Sequence, residues 1–276
     1  MLRESAPAKV NLVLHVGRRR TDGLHELCSL FAPLDLADEL AFEAAARDEV
    51  VAPGVEGPNL VQHALAAFRT RAALAPLRVT IEKRIPVAGG LGGGSADAAA
   101  TLRAANRLAG EPLALGELQA LGAPIGADVP SQLEPAPALV TGAGEAVEPV
   151  ALPALWLLLV PTTEGLSTAA VYAEHDRLEA GREQLDPQAL RGLAHADAPR
   201  LAPAMENDLE AAALSLRPEL RATLDRLEAL GALRARLSGS GPTAVGLFEA
   251  REAAEAAAAA IPGALVVSTR PSPASQ

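Results

Sequence analysis

Apolar and polar residues alternate along Arg78-Val-Thr-Ile-Glu-Lys-Arg-Ile85, with Val79, Ile81 and Ile85 on one face, which predicts a half-buried strand. Ala8-Lys-Val-Asn-Leu-Val-Leu-His-Val16 alternates in the same way, and the stretch 26–42 reads as further short strands. Over 60–68 the apolar spacing is helical and Asn59 stands at the N-cap. The segment 98–108 is rich in helix formers and closes at Gly110. A hairpin is expected over 138–147, around Gly142 and Gly144. Beyond it, 155–160 reads as a short buried strand, with helices near 168–176, 186–194, 206–214 and 217–230, the last closing at Gly231. Strands at 233–237 and 244–249 flank a glycine-rich turn, followed by an alanine-rich helix over 250–260, a last strand over 264–269 and a disordered tail from Pro271. Strands and helices mixed without a regular βα beat predict an α+β fold, with one domain over 1–152 and a second from Pro153 over 153–276.

Between the strand at 78–85 and the helix at 98–108 lies Pro86-Val-Ala-Gly-Gly-Leu-Gly-Gly-Gly-Ser95-Ala-Asp97, with five glycines in ten residues. Glycines let a backbone approach a ligand closely and aim its N–H groups at it, and a helix N-terminus adds partial positive charge. Ser95 is placed to cap that helix and Asp97 to sit in its first turn. The pattern predicts an anion site, with phosphate as the anion. No Gly-Lys-Ser/Thr closes the loop, so it is not a P-loop, and a dinucleotide fingerprint would need its third glycine at Ser95. A turn that merely permits tight packing is the plain alternative, but five glycines cost backbone entropy without return.

Composition narrows the classes. Acidic residues number 34 against 24 basic, a formal net charge of −10, where a nucleic-acid surface needs a basic face. The single cysteine, Cys28, excludes an internal disulfide and a cysteine metal cluster. No apolar run reaches membrane-spanning length and no charged-then-apolar leader opens the chain, so a cytoplasmic protein without membrane attachment is expected.

Several polar residues stand where a core would want apolar ones. Lys9 and Asn11 share a strand face, and a lysine charge there favours the alkoxide form of a reacting hydroxyl. Read alone, Lys9 is a surface lysine at a strand start. Gly17-Arg-Arg-Arg-Thr-Asp-Gly23-Leu-His25-Glu-Leu could be a solvated turn, and Ile125-Gly-Ala-Asp128-Val-Pro130 a turn aspartate before proline. Ser238-Gly-Ser-Gly-Pro-Thr243 could be a tight hairpin. Tyr172, the one tyrosine, offers a stacking surface, and Asn207 and Asp208 read as helix-capping residues.

Together these motifs resemble the GHMP small-molecule kinases, over residues 7 to about 248. The resemblance implies a ribosomal-protein-S5-like N-terminal domain and a ferredoxin-like C-terminal domain. It implies that Pro86, Val87, Ala88, Gly89, Gly90, Leu91, Gly92, Gly93, Gly94, Ser95 and Ala96 wrap the phosphates of ATP. Ser95 would also meet Mg²⁺. Asp128 would be the general base, paired with Lys9, and Gly239, Ser240 and Gly241 would close over the phosphate region. The segment around His25 resembles Gly-x-Arg-x-Asp-Gly-Tyr-His-Glu-Leu of the members that phosphorylate the 2-hydroxyl of 4-diphosphocytidyl-2-C-methyl-D-erythritol, for non-mevalonate isoprenoid synthesis. That implies a cytidine-diphosphate substrate held by Asn11, His25 and Tyr172, with Leu24 where those enzymes have a tyrosine. A monomer or homodimer is expected. Other GHMP kinases, acting on mevalonate, homoserine or a sugar, have no reason to carry the His25 segment. A non-catalytic S5-like RNA-binding module is disfavoured by the acidic charge.

Overall fold

The computed structural model describes residues 1–54, 59–162 and 164–271; the tail expected to be disordered lies, from residue 272 onward, outside the described residues. The chain divides into two units, each assembled from separate stretches. One comprises Met1–Ala8, Leu36–Val87 and Gly92–Pro135, and the other Lys9–Asp35, Ala88–Leu91 and Ala136–Gln276. Two long strands, β1 (Leu2–Arg19) and β2 (His25–Ala44), each begin in one unit and end in the other. The short strands expected over 26–42 are therefore one strand.

The first unit adds β3 (Glu49–Val51), α1 (Leu60–Arg69), β4 (Leu77–Glu82), α2 (Gly93–Leu108), α3 (Leu115–Gly122) and α4 (Val129–Gln132). β4 pairs antiparallel with the second half of β2 and parallel with β3, and its residues alternate strictly between buried and exposed. Asn59 caps α1, its side chain accepting from the Val61 amide at 3.0 Å, and Val61, Ala64, Leu65 and Phe68 form the buried stripe. Nearly every residue of α2 from Ala96 to Asn106 is buried, which only a helix of small side chains can accommodate between a sheet and other helices. Arg103 on α2 donates to the carbonyls of Ser5 and Gln132, both at 2.8 Å, and to Glu4 at 3.2 Å.

The second unit contains β5 (Ala138–Gly142) and β6 (Ala146–Pro149), the expected hairpin, with β5 paired to the first half of β2. It continues with β7 (Trp156–Val160), α5 (Thr168–Arg177), α6 (Pro187–Arg191), α7 (Ala198–Leu201), α8 (Glu210–Leu216), α9 (Leu220–Ala229), β8 (Arg234–Leu237), β9 (Ala244–Phe248), α10 (Arg251–Ala258) and β10 (Leu265–Ser268). β7, β8, β9 and β10 form an antiparallel sheet in the order β10-β7-β9-β8. With helices after β7 and between β9 and β10, this is the ferredoxin-like arrangement. Leu220, Leu224 and Leu227 of α9 pack with Leu158, Leu237 and Phe248 of the sheet, a core worth about 2 kcal/mol for each large side chain buried.

Candidate active site

The glycine loop meets a helix as expected, but the helix starts earlier. α2 begins at Gly93 with Gly92 as its N-cap in the left-handed region, φ 68°. Ser95 is thus the third helical residue rather than the cap, and Asp97 lies past the first turn. Asp97 is buried and paired instead with Lys83, at 2.8 Å. The capping signal pointed to Ser95 because serine is a stronger side-chain cap than glycine; the left-handed backbone at residue 92 decides otherwise.

The loop is shared between the units. In the first, Gly92 to Ala96 open α2, following Pro86 and an exposed Val87 at the end of the preceding segment. Gly126 packs so close to them that a β-carbon on it would stand 3.3 Å from Ser95 Oγ. The turn carrying Asp128, the residue before α4, therefore adjoins the first turn of α2. Asp128 is partly exposed, and its backbone carbonyl accepts from Ser131 Oγ at 2.9 Å.

In the second unit, Ala88 to Leu91 lie between β1 and the turn after β8. Lys9 N–H donates to Leu91 O at 2.9 Å and Ser238 Oγ to Gly90 O at 3.0 Å. Gly90 has φ 74°, and a β-carbon there would fall 2.3 Å from Ser238 O and 2.7 Å from Gly241 O. No other residue fits. The turn after β8 thus touches the loop backbone directly, through Ser238, Gly239 and Gly241. Asn207, read as a helix-capping residue, also bridges this turn, its Nδ2 donating to Leu237 O and Gly239 O at 2.8 Å each. Asp208 accepts from the Val16 amide at 2.9 Å and from Arg182 Nε at 2.6 Å. Asn207 Oδ1 also accepts from the Leu209 amide at 3.0 Å, a capping-type bond just ahead of α8, which starts at Glu210; Asp208 makes no such bond among the described residues.

Lys9 is no surface lysine; it is 5% exposed in the middle of β1. Its Nζ donates to Asn11 Oδ1 at 2.7 Å, as shared facing predicts, and lies 5.8 Å from the Phe31 ring centroid. Since an ammonium can only donate, Asn11 must present its oxygen and turn its amide to Ser29 Oγ, at 2.7 Å. Ser29 in turn donates to Val13 O at 2.8 Å. This chain of single-sense bonds holds the Lys9 ammonium in one direction. A β-carbon on Gly239 would lie 3.7 Å from Lys9 Nζ, so the ammonium adjoins the glycine turn. Lys9 and Asp128 belong to different units.

His25, at the start of β2, is 8% exposed and stands 4.9 Å from the Tyr172 ring, centroid to centroid. Its Nε2 is 2.7 Å from Asp176 Oδ1, a residue that sequence reasoning missed. A carboxylate there holds the proton on Nε2 and leaves Nδ1 the acceptor in the neutral ring. Tyr172 and Asp176 are one helical turn apart on α5, and that i, i+4 spacing was the available signal. Thr168, a further turn back, reaches Ser240 Oγ at 3.0 Å. Leu24 is exposed beside His25 in the chain.

Behind His25 lies His175, fully buried, with ring centroids 6.1 Å apart and neither His175 nitrogen hydrogen-bonded among the described residues. Burial first, and the His25 ring second, push its pKa below the ordinary histidine value. Its depressed folded pKa means that the neutral ring's stability is present above the unfolded pKa and is lost as pH falls through the folded one. His175→Leu is therefore expected to be more stable by about 1 kcal/mol at pH 8. The gain in Tm should widen toward pH 5, measured by thermal unfolding; a gap that narrows on acidification contradicts the assignment.

Comparison with known proteins agrees with this architecture. Residues 59–136 match the family description "GHMP kinases N terminal domain" and residues 189–266 "GHMP kinases C terminal". A 4-diphosphocytidyl-2-C-methyl-D-erythritol kinase of Nocardia farcinica is 45% identical over 94% of this chain and 89% of its own. One from Anaeromyxobacter dehalogenans is 44% identical over 94% and 84%. Among solved structures, a 4-(cytidine 5'-diphospho)-2C-methyl-D-erythritol kinase aligns over 97% of this chain and 99% of its own, with TM-score 0.82 and 36% identity. A homoserine kinase from Cytophaga hutchinsonii shares the fold, with TM-score 0.71 at 19% identity, over 98% of this chain and 95% of its own. No helix among the described residues is long and apolar enough to cross a membrane. By sequence and by fold, the chain belongs to the GHMP kinases, enzymes that use ATP to phosphorylate small molecules.

Proposed function

We propose that this chain transfers the γ-phosphoryl group of ATP to the 2-hydroxyl of 4-diphosphocytidyl-2-C-methyl-D-erythritol, a step toward isoprenoid precursors. The observation that carries the choice of acceptor is the His25–Tyr172–Asp176 cluster, built on the segment that other GHMP kinases do not need. It offers an aromatic face for a pyrimidine and an imidazole with fixed hydrogen-bonding sense. The names of the relatives above agree with it.

Phosphoryl transfer asks little covalent chemistry of the protein and much positioning. The acceptor hydroxyl gives its proton to the Asp128 carboxylate as its oxygen bonds to the γ-phosphorus. The bond from that phosphorus to the bridging oxygen breaks, and ADP leaves. Lys9, held by Asn11 and Ser29, supplies positive charge for the developing alkoxide. The amides of the loop from Ala88 to Ser95 and those of Gly239 and Ser240 receive the phosphate oxygens, while the Gly241 amide closes the turn on Ser238 O at 2.8 Å.

A magnesium ion suits these donors. The described residues contain no group of three or more acidic or histidine side chains that would make an all-protein cage. Mg²⁺ is commonly held by one or two protein oxygens together with substrate phosphates, and the Ser95 hydroxyl in the first turn of α2 is such an oxygen. When bound, the ion supplies charge neutralisation to the phosphates.

Two substitutions test this reading. Asp128→Asn should lower kcat about a thousandfold while leaving the Kd for ATP within about threefold, measured by steady-state turnover and equilibrium binding. A variant that keeps most of the wild-type kcat removes Asp128 as base. His25→Ala should raise the KM for the cytidylated alcohol about tenfold with that for ATP little changed. Equal effects on both substrates contradict the cytosine assignment.

A further inference from the structure

Two buried carboxyl groups and a half-buried ammonium flank the glycine loop in the first unit and take no part in the transfer chemistry. Asp38 on β2 is fully buried and Asp97 on α2 is 3% exposed. Lys83, directly after β4, donates to both, to Asp97 Oδ2 at 2.8 Å and to Asp38 Oδ2. Asp38 Oδ1 also accepts from the amides of Arg84, at 2.6 Å, and Ile85, at 2.9 Å. One carboxylate thus holds residues 83, 84 and 85, the last before Pro86, while the ammonium holds the helix on the far side of the loop. The grip is close: a β-carbon on Gly93, the first residue of α2, would stand 3.6 Å from Lys83 Nζ and 3.1 Å from Ile85 Cγ2.

The cluster is a poor way to gain stability. Two carboxylates share one ammonium, and Asp97 Oδ1 has no hydrogen-bond partner among the described residues. Burying such charges costs several kcal/mol per ion, and apolar residues of similar volume often do as well or better. Nor does the cluster offer a phosphate any net positive charge, since one ammonium stands against two carboxyl groups. What the cluster does supply is a fixed separation between the end of β4 and the start of α2, the two ends of the loop.

We propose that Asp38, Lys83 and Asp97 are positioning residues for nucleotide binding, setting the span of the loop so that its amides face the phosphates. This rests on the reading that the loop carries ATP. It differs in sign from the electrostatic alternatives. If Lys83 were a direct phosphate ligand, or if charge alone mattered, removing Asp97 would tighten ATP binding; a positioning role requires that it weaken.

The test is the Kd for ATP by equilibrium binding without acceptor, together with KM for both substrates and Tm. Lys83→Met and Asp97→Ala should each raise the Kd for ATP about tenfold or more, with the KM for the acceptor within about twofold. Asp97→Asn, which keeps an oxygen for Lys83, should restore near-wild-type affinity. The double variant Lys83→Met/Asp97→Ala removes one charge of each sign; it should keep or exceed the wild-type Tm and still bind ATP weakly, and it carries the test if a single variant fails to fold. ATP binding as tight as wild type or tighter in Asp97→Ala, or wild-type affinity in the double variant, overturns the proposal. Ser95→Ala is the control on the loop itself. If it weakens ATP binding and the cluster variants do not, the cluster inference alone fails; if none of them changes ATP binding, the loop assignment fails with it.

Discussion

No β-carbon can stand on residue 90. The carbonyl oxygens of Ser238 and Gly241 already occupy its place, and the backbone there has the left-handed φ that glycine adopts without strain. Much of the arrangement in the second unit follows from that approach. Ser238 binds the Gly90 carbonyl, Lys9 N–H binds the Leu91 carbonyl, and Asn207 ties the turn from the other side. Two glycine-rich segments roughly 150 residues apart in sequence are thereby brought into direct backbone contact. The Lys9 ammonium beside it is aimed by a relay whose every bond has only one possible sense.

Buried and half-buried ion pairs recur close to segments with work to do. Arg103 and Glu4 join α2 to the first strand; Arg182 and Asp208 hold β1 to the segment before α8. Such pairs are weak sources of net stability, because desolvation offsets most of their attraction. They are strong sources of geometry, because breaking one partner leaves an uncompensated charge. For an enzyme whose chemistry is largely placement of a triphosphate and a hydroxyl, that trade favours function. His175 stands apart, a buried imidazole whose ring nitrogens have no hydrogen-bond partner among the described residues and whose ring meets that of His25.

Local features were legible in the sequence. The alternation around Val79 and Ile81, the Asn59 cap, the hairpin at Gly142 and the Lys9–Asn11 pair depend on neighbours within a few residues. The start of α2 was not, because a left-handed Gly92 outweighs the capping preference of Ser95. The single strand β2 was read as several because its burial is set by partners on both sides, β4 at one end and β5 at the other. Asp38, Lys83 and Asp97 meet across 59 positions of sequence, and His25 and Asp176 across 151; no periodicity reports such pairs. Asn207 and Asp208 stood out as a motif, but their bridging role depends on strands that only the fold brings near.

The choice of acceptor is the central claim and the most exposed one. It is tested directly by following ADP release from ATP with 4-diphosphocytidyl-2-C-methyl-D-erythritol, mevalonate and homoserine side by side. Turnover with the cytidylated alcohol, and little or none with the other two, is the predicted result. Faster turnover with mevalonate or homoserine would contradict the role given to His25, Tyr172 and Asp176.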